Sequence, residues 1–150
     1  MIDLSTIDAR KQLAGKYAAK YSLDTALLCA LCDHESSWNP YAARYEPAFY
    51  SRYIQPLLNN GTVHTATEAT LRAMSVGLMQ LMGEVAREFG YTGDLLRMTD
   101  PDTALEWGCR KLRKCFDSAS NDPHQALLLY NGGGDPNYPD LVMDLVAKYQ

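Results

Sequence analysis

The chain has 150 residues, of which 47% are hydrophobic and 21% are charged, a composition typical of one folded globular domain. Its formal net charge of -4, without any run of Lys or Arg, argues against nucleic acid as a partner. No apolar run approaches the roughly 18 residues that a transmembrane helix needs, and Met1 to Leu4 lacks the basic and apolar regions of an export signal. We therefore expect a single domain over residues 1–150, with no transmembrane segment and no signal peptide.

Capping signals and apolar spacing predict helices at the start of the chain. Ser5-Thr6-Ile7-Asp8 resembles a capping box and begins a first helix that extends to about Tyr21. A second helix runs from about residue 24 to residue 35 or 36. Because the residue before a proline is disfavoured in the α region, we expect Asn39-Pro40 to end this second helix.

The middle of the chain has weaker signals. Thr65-Ala66-Thr67-Glu68 reads as another capping box and predicts a short helix to Met74. The apolar spacing over Leu78–Phe89 predicts an amphipathic helix that Gly90 ends. Whether a small pair of strands forms between Tyr41 and Val63 stays open.

The last third of the chain is again predicted to be helical. Asp100-Pro101 and Asp122-Pro123 each place a capping residue before a first-turn proline. The second of these helices ends in Asn131-Gly132-Gly133-Gly134, and a last helix begins at Pro139 with an apolar face that continues to Tyr149. Since no stretch shows sustained alternation of period two, the predicted fold class is all-α, or α with a minor β-hairpin, with about seven or eight helices.

The four cysteines are predicted to be buried free thiols. Cys29 and Cys32 have the spacing of half a zinc site, but Cys109 and Cys115 are six positions apart, and all four lie in apolar helical runs. We therefore predict no metal and no cofactor. A disulfide between the two runs stays open.

Glu35 is the candidate catalytic residue. Leu27, Leu28 and Leu31 lie eight, seven and four positions before it, which places the carboxyl group on the apolar face of the second helix. Burial without a partner raises the pKa of a carboxyl group, and such a glutamate can act as a general acid near neutral pH. The alternative is a structural glutamate paired with Arg or Lys.

Three short motifs follow one another along the chain: Glu35-Ser36, Gly77-Leu78-Met79-Gln80 and Leu129-Tyr130-Asn131-Gly132. In this order, with a capped helix from Asp100-Pro101 between the last two, they resemble the soluble lytic transglycosylase domain. This family is the goose-type branch of the lysozyme-like enzymes that cleave peptidoglycan. The resemblance covers roughly Leu23 to Val146 and implies a lysozyme-like fold with its helices around a substrate cleft.

The resemblance also implies roles for individual residues. Glu35 would be the single catalytic acid/base, and the implied substrate-binding residues are Ser36, Ser75, Met79, Gln80, Tyr130 and Asn131. Ser36 would support the catalytic site, and Met79 and Gln80 would line the sugar subsites. Tyr130 and Asn131 would position Glu35 and the substrate. Two structural alternatives stay open, Met79 as core filler and the Tyr130 ring as a cap on a core.

The implied reaction is cleavage of the β-1,4 bond between N-acetylmuramic acid and N-acetylglucosamine. In the transglycosylase route, Glu35 protonates the leaving oxygen and then removes a proton from the muramyl 6-hydroxyl, which gives a 1,6-anhydromuramyl product. A muramidase would instead need a second carboxylate to activate water at roughly 6.5–9.5 Å, and the candidates are Glu46 and Glu68. A third hypothesis is a catalytically silent glycan-binding or virion structural domain.

The sequence departs from the family pattern in two places. The stretch from Tyr41 to Arg72 is longer and more aromatic than the usual link, and Leu81-Met82-Gly83 stands where the family often has a proline. A tyrosine-rich insertion of this kind is similar to bacteriophage members of the family. On that analogy we expect a monomeric endolysin-like enzyme, made in the cytoplasm, that reaches the cell wall in a virion or through a holin lesion.

Overall fold

The computed structural model describes residues 2–150, and the described chain is mainly helical with one small sheet. It divides into two compact units. One, here called the terminal unit, contains residues 2–38 and 108–150, and the other, the middle unit, contains residues 39–107. The single domain expected over residues 1–150 stays a prediction.

The terminal unit is built from helices. They are α1 (Ile7–Tyr21), α2 (Thr25–Ser36), the second half of α7 (Pro101–Ser118), α8 (Pro123–Tyr130), α9 (Tyr138–Met143) and a 3-10 turn (Val146–Tyr149). Side chains of Thr6, Asp24 and Asp122 accept the first free backbone N–H groups of α1, α2 and α8. Because α2 is buried from Leu27 to Cys32, it forms the centre of this unit.

The middle unit combines short helices with the sheet. Its elements are β1 (Ala43–Tyr45), α3 (Pro47–Phe49), a π-helical segment (Tyr50–Ile54), α4 (Gln55–Asn59), α5 (Ala66–Arg72), β2 (Met74–Val76), β3 (Leu81–Met82), α6 (Gly83–Glu88), a 3-10 helix (Leu95–Thr99) and the first half of α7. The sheet is antiparallel in the order β1-β2-β3, with Ser75 of β2 opposite Arg44 of β1 and Met82 of β3.

Two apolar clusters stabilise the middle unit. One lies against the sheet and contains Val76, Leu81, Ala86, Tyr91, Leu95 and Met98. The other contains Ile54, Val63, Ala69 and Ala73, with Phe49 and Tyr50 packed against it. The tyrosine-rich insertion thus forms part of its own small core, while Tyr41, Tyr45 and Tyr53 stay exposed.

The predicted fold class is confirmed, including the minor sheet, but the helix predicted over Leu78–Phe89 is wrong. Gly77 and Gln80 have φ angles of 82° and 47°, which no right-handed helix accommodates. Residues 77–80 therefore form a turn between β2 and β3, and only Gly83–Glu88 is helical. Apolar spacing alone could not separate a short buried strand from a helix.

Other element boundaries also differ from the prediction. Helix α2 ends at Ser36 because Ser37 and Trp38 adopt left-handed φ angles of 51° and 62°, so Asn39-Pro40 is not the stop. The strand pair left open within residues 41–63 is not what the structure contains, since β1 pairs with β2 at residues 74–76. The helix predicted to reach residue 74 ends at Arg72, and the one beginning near Pro139 ends at Met143.

The cysteines match the prediction of free thiols. Cys29, Cys32 and Cys109 are buried, Cys115 is partly buried, and none of them forms a disulfide. Burial raises the pKa of Cys29 to about 12, so this thiol stays protonated near neutral pH. Within residues 2–150, no helix is long and apolar enough to cross a membrane.

The end of α2 is tied to the C-terminal 3-10 turn. Asp33 Oδ2 accepts hydrogen bonds from Lys148 Nζ at 2.7 Å and from Tyr149 Oη at 2.9 Å. Trp38 Nε1 donates to the same Tyr149 hydroxyl at 3.1 Å. Burial acts to raise the pKa of Asp33, but the hydrogen bonds from Lys148 and Tyr149 outweigh it, and the pKa lies below its ordinary value.

Gly77→Ala should destabilise the protein more than Gly61→Ala. Both glycines have φ near 80°, but a Cβ on Gly77 would lie 2.0 Å from the Met98 carbonyl oxygen, whereas a Cβ on Gly61 has no neighbour within 4 Å. We expect the left-handed backbone alone to lower the free energy of unfolding by about 1–2 kcal/mol in either variant. The overlap with Met98 should make the loss at least twice as large in Gly77→Ala. Unfolding in urea measures the stability of both variants. Equal losses of stability in Gly77→Ala and Gly61→Ala would contradict the steric explanation.

Asp33→Asn should lower the free energy of unfolding by about 1–3 kcal/mol at neutral pH, the range for hydrogen bonds to a charged group. Since the folded pKa of Asp33 is lowered, its contribution is present above about pH 4 and is lost as the pH falls through the folded pKa. The variant and the wild type should therefore converge in acid. Asp117→Asn, at an exposed ion pair, is the control and should change stability by less than about 0.5 kcal/mol.

Candidate functional site

Glu35 lies on the last turn of α2 and is partly buried. It follows Leu31 and Cys32 by four and three positions, so its carboxyl group shares a helix face with two fully buried side chains. Because Ser37 and Trp38 end the helix directly after Ser36, Glu35 projects from a fixed helix terminus. The local sequence therefore places a carboxyl group at the edge of an apolar core.

Tyr138 binds this carboxyl group directly. Its hydroxyl donates a hydrogen bond to Glu35 Oε1, and its ring makes an edge contact with His34 at a centroid distance of 4.9 Å. Burial, followed by the charge of Glu35 and this hydrogen bond, raises the pKa of Tyr138 well above its ordinary value. Tyr138 therefore remains a protonated donor. No sequence pattern pointed to Tyr138, since the only local signal was the helix start at Pro139.

Tyr130 and Lys111 complete the polar surroundings of Glu35. Tyr130 is the last residue of α8 and is 4% exposed; burial and then the charge of Glu35 raise its pKa. Lys111, on α7, donates from Nζ to the Tyr130 carbonyl oxygen at 2.8 Å. We call Glu35, Tyr138, Tyr130 and Lys111 the carboxylate site. It joins one carboxyl group, two protonated phenols and one amine within the terminal unit.

Ser36 and Asn131 flank this site along the chain. Ser36 Oγ donates to the Cys32 carbonyl oxygen at 2.9 Å, which secures the last turn of α2. Asn131 is the C-cap of α8, and its backbone N–H donates to Leu127 at 3.0 Å. Both residues hold helix ends next to Glu35 and Tyr130, and substrate contact by either one stays a prediction.

The other predicted substrate-binding residues belong to the middle unit. Ser75 is buried in β2, and Met79 is 0% exposed in the turn that follows. Gln80 Nε2 donates to the carbonyl oxygens of Ala42 and Gly77, both at 3.0 Å. In this structure Met79 fills a core, and Gln80 secures the turn. Their contacts with sugar stay a prediction.

The two candidate second carboxylates are both paired with arginine. Glu68 accepts hydrogen bonds from Arg87 at 2.8 Å and from Arg72 at 2.9 Å, and the bond from Arg87 is the main cause of its lowered pKa. Glu46 accepts from Arg44 at 2.5 Å. Among the described residues, no group of three or more His, Cys, Asp or Glu side chains could hold a metal ion.

One family model matches most of the chain. Its description is Transglycosylase SLT domain, and the match covers residues 12–138, which include Glu35, Gln80, Tyr130 and Tyr138. Neither the curated proteins nor the solved structures compared with this chain gave a match. The family match confirms the resemblance inferred from the three motifs. The chain therefore belongs to the transglycosylase SLT domain family.

Proposed function

We propose that this protein cleaves the β-1,4 bond between N-acetylmuramic acid and N-acetylglucosamine and forms a 1,6-anhydromuramyl product, with Glu35 as the single acid/base. Membership of the family supports lytic transglycosylase activity on peptidoglycan in general. The specific role of Glu35 is supported by one observation above all. A partly buried carboxyl group at a helix end accepts a hydrogen bond from a tyrosine that cannot readily ionise.

The carboxylate site can serve both halves of this reaction. In the first half, protonated Glu35 donates its proton to the glycosidic oxygen as the bond to the muramyl C1 breaks. In the second half, the Glu35 carboxylate takes the proton of the muramyl 6-hydroxyl, whose oxygen forms the new bond to C1. Tyr138 donates to Oε1 and thereby orients the carboxyl group. The proton returns to Glu35, and no water is consumed.

The arginine pairs of the middle unit favour a single carboxylate over a hydrolytic mechanism. A base that activates water must accept a proton readily, and a carboxylate held by arginine is a weaker base. Glu68 is held by Arg72 and Arg87, which lower its pKa, and Glu46 forms an ion pair with the exposed Arg44. Each of these glutamates therefore has a structural role that accounts for it. A muramidase mechanism would require one of these glutamates to leave its arginine partner.

Glu35→Gln should lower the rate at which the protein reduces the turbidity of a purified peptidoglycan suspension by at least about 100-fold, because the amide cannot deliver the proton. The Gln side chain keeps the shape and can still accept from Tyr138, so the melting temperature should stay near that of the wild type. Glu46→Gln is the matched control, since it makes the same change at an arginine-paired carboxylate and should keep most activity. Substantial activity in Glu35→Gln would rule out the acid/base role.

The products should distinguish the three hypotheses. If Glu35 acts alone, mass spectra of digested peptidoglycan should contain muropeptides that are lighter by one water and resist borohydride reduction, because the 6-hydroxyl has closed on C1. Reducible muropeptides would mean that water is the nucleophile and that the mechanism is that of a muramidase. Intact peptidoglycan after prolonged incubation would indicate a catalytically silent domain.

A further inference from the structure

Lys111 occupies an unusual place for a lysine. Its Nζ donates to the carbonyl oxygen of Tyr130 at 2.8 Å and lies 4.1 Å from the centroid of the Tyr130 ring. The last carbonyl groups of a helix have no partner within the helix, and a cation there interacts favourably with the helix dipole. Lys111 therefore binds the C-terminal end of α8 in two ways, through the main chain and through the aromatic face.

The segment after Tyr130 contacts this end of α8 through its backbone, since Gly132 N–H donates to Leu129 at 3.1 Å and Gly133 N–H donates to Leu128 at 2.9 Å. Gly132 and Gly133 have φ angles of 78° and 75°, and a Cβ built on either glycine, or on Gly134, has no neighbour within 4 Å. The glycine loop is therefore loosely surrounded. The anchor that Lys111 provides lies at the point where the helix passes into this loop, directly before Asn131.

Placing a charged lysine at this position has a cost in folding free energy. Burial lowers the pKa of Lys111, so the ammonium form is disfavoured, and the interaction with the Glu35 carboxylate acts in the opposite direction. An apolar residue could fill the same space without this cost. Because the cost is concentrated beside the candidate catalytic carboxyl group, a role in the reaction is a physical explanation for it.

We propose that Lys111 is a positioning residue of the carboxylate site: its ammonium group holds Tyr130 and the start of the glycine loop beside Glu35 and places one positive charge in that site. This inference rests on the acid/base role proposed for Glu35. In the proposed reaction Glu35 must be protonated in the first half and ionised in the second. Burial favours the first state, and Lys111 favours the second.

Other titratable groups lie near Glu35 on α2, α8 and α9. Tyr138 and Tyr130 stay neutral, because burial first of all raises the pKa of each phenol, and the same holds for the Cys32 thiol. His34 lies against the Tyr138 ring. Asp33 interacts with Lys148 and Arg10. Asp33 lies about 200° around the axis of α2 from Glu35, so these charges are on the opposite face of the helix.

Lys111→Met tests the proposal by two measurements. The side-chain carboxyl of Glu35 is titrated by carbon NMR, and the rate on purified peptidoglycan is measured against pH. Loss of the nearby cation should raise the pKa of Glu35 by about one unit. Because the acid form is needed for the first half of the reaction, the alkaline fall in rate should move to higher pH by the same amount.

Two variants serve as controls. Lys114→Met removes the same charge from an exposed position of the same helix and should leave both the titration and the rate profile unchanged. Lys111→Arg keeps the charge, so Glu35 should titrate near its wild-type pKa. If Lys111→Met does not fold, as judged from the loss of its helical circular dichroism, Lys111→Gln replaces it with the same expected shift.

The titration separates this proposal from the proposed function. An unchanged pKa of Glu35 in the folded Lys111 variants would overturn the role of Lys111, whatever their activity. A raised pKa in a protein whose wild type leaves peptidoglycan intact would support the electrostatic coupling and reject the proposed function. A shift of equal size in Lys114→Met would also overturn the proposal, because a general change in net charge would then explain it.

Discussion

The hydrogen bond from Tyr138 to Glu35 is the interaction on which the candidate site depends. It joins residues that are 103 positions apart and gives a carboxyl group at the edge of an apolar core the partner that it needs. Burial of a carboxyl group without hydrogen-bond donors favours its neutral form, so such donors matter at this position. The bond therefore fixes where the carboxyl group lies.

The C-terminal segment holds the end of α2 on two faces. Tyr138 donates to Glu35, and eleven residues later Tyr149 donates to Asp33, whose position on the helix is about 200° from Glu35. Trp38, buried just after the helix, donates to the same Tyr149 hydroxyl. Because α2 is enclosed in this way, its last turn has little freedom to reorient. Such a rigid support is what a catalytic carboxyl group requires.

Local signals in the sequence were sufficient for part of this structure. Asp100-Pro101 and Asp122-Pro123 correctly marked the starts of α7 and α8, because capping depends only on residues within one turn. The position of Glu35 on the apolar face of α2 follows from its spacing to Leu28 and Leu31, which is equally local. The turn at residues 77–80 does not follow from apolar spacing, since the Gln80 side chain that secures it donates to Ala42, a residue that only the fold brings close.

The partners of Glu35 were beyond the reach of sequence patterns for the same reason. Tyr138 looked like the start of an amphipathic helix, and Lys111 looked like one of several basic residues on α7. Only the fold brings Tyr138 to a carboxyl group 103 residues away, or Lys111 to a carbonyl group 19 residues away. Periodicity predicts which face a side chain occupies, but it does not predict which distant polar atom meets it.

The two units differ in what their motif residues do for stability. In the middle unit, Gly77 and Gln80 maintain a turn, so a domain that had lost its activity would still need them. In the terminal unit, Lys111 and Glu35 are ionisable groups placed against a core, where apolar residues would fold at a lower cost. Retention of such groups is better explained by chemistry than by folding. For this reason the carboxylate site supports the proposed catalytic role more directly than the motif residues of the middle unit do.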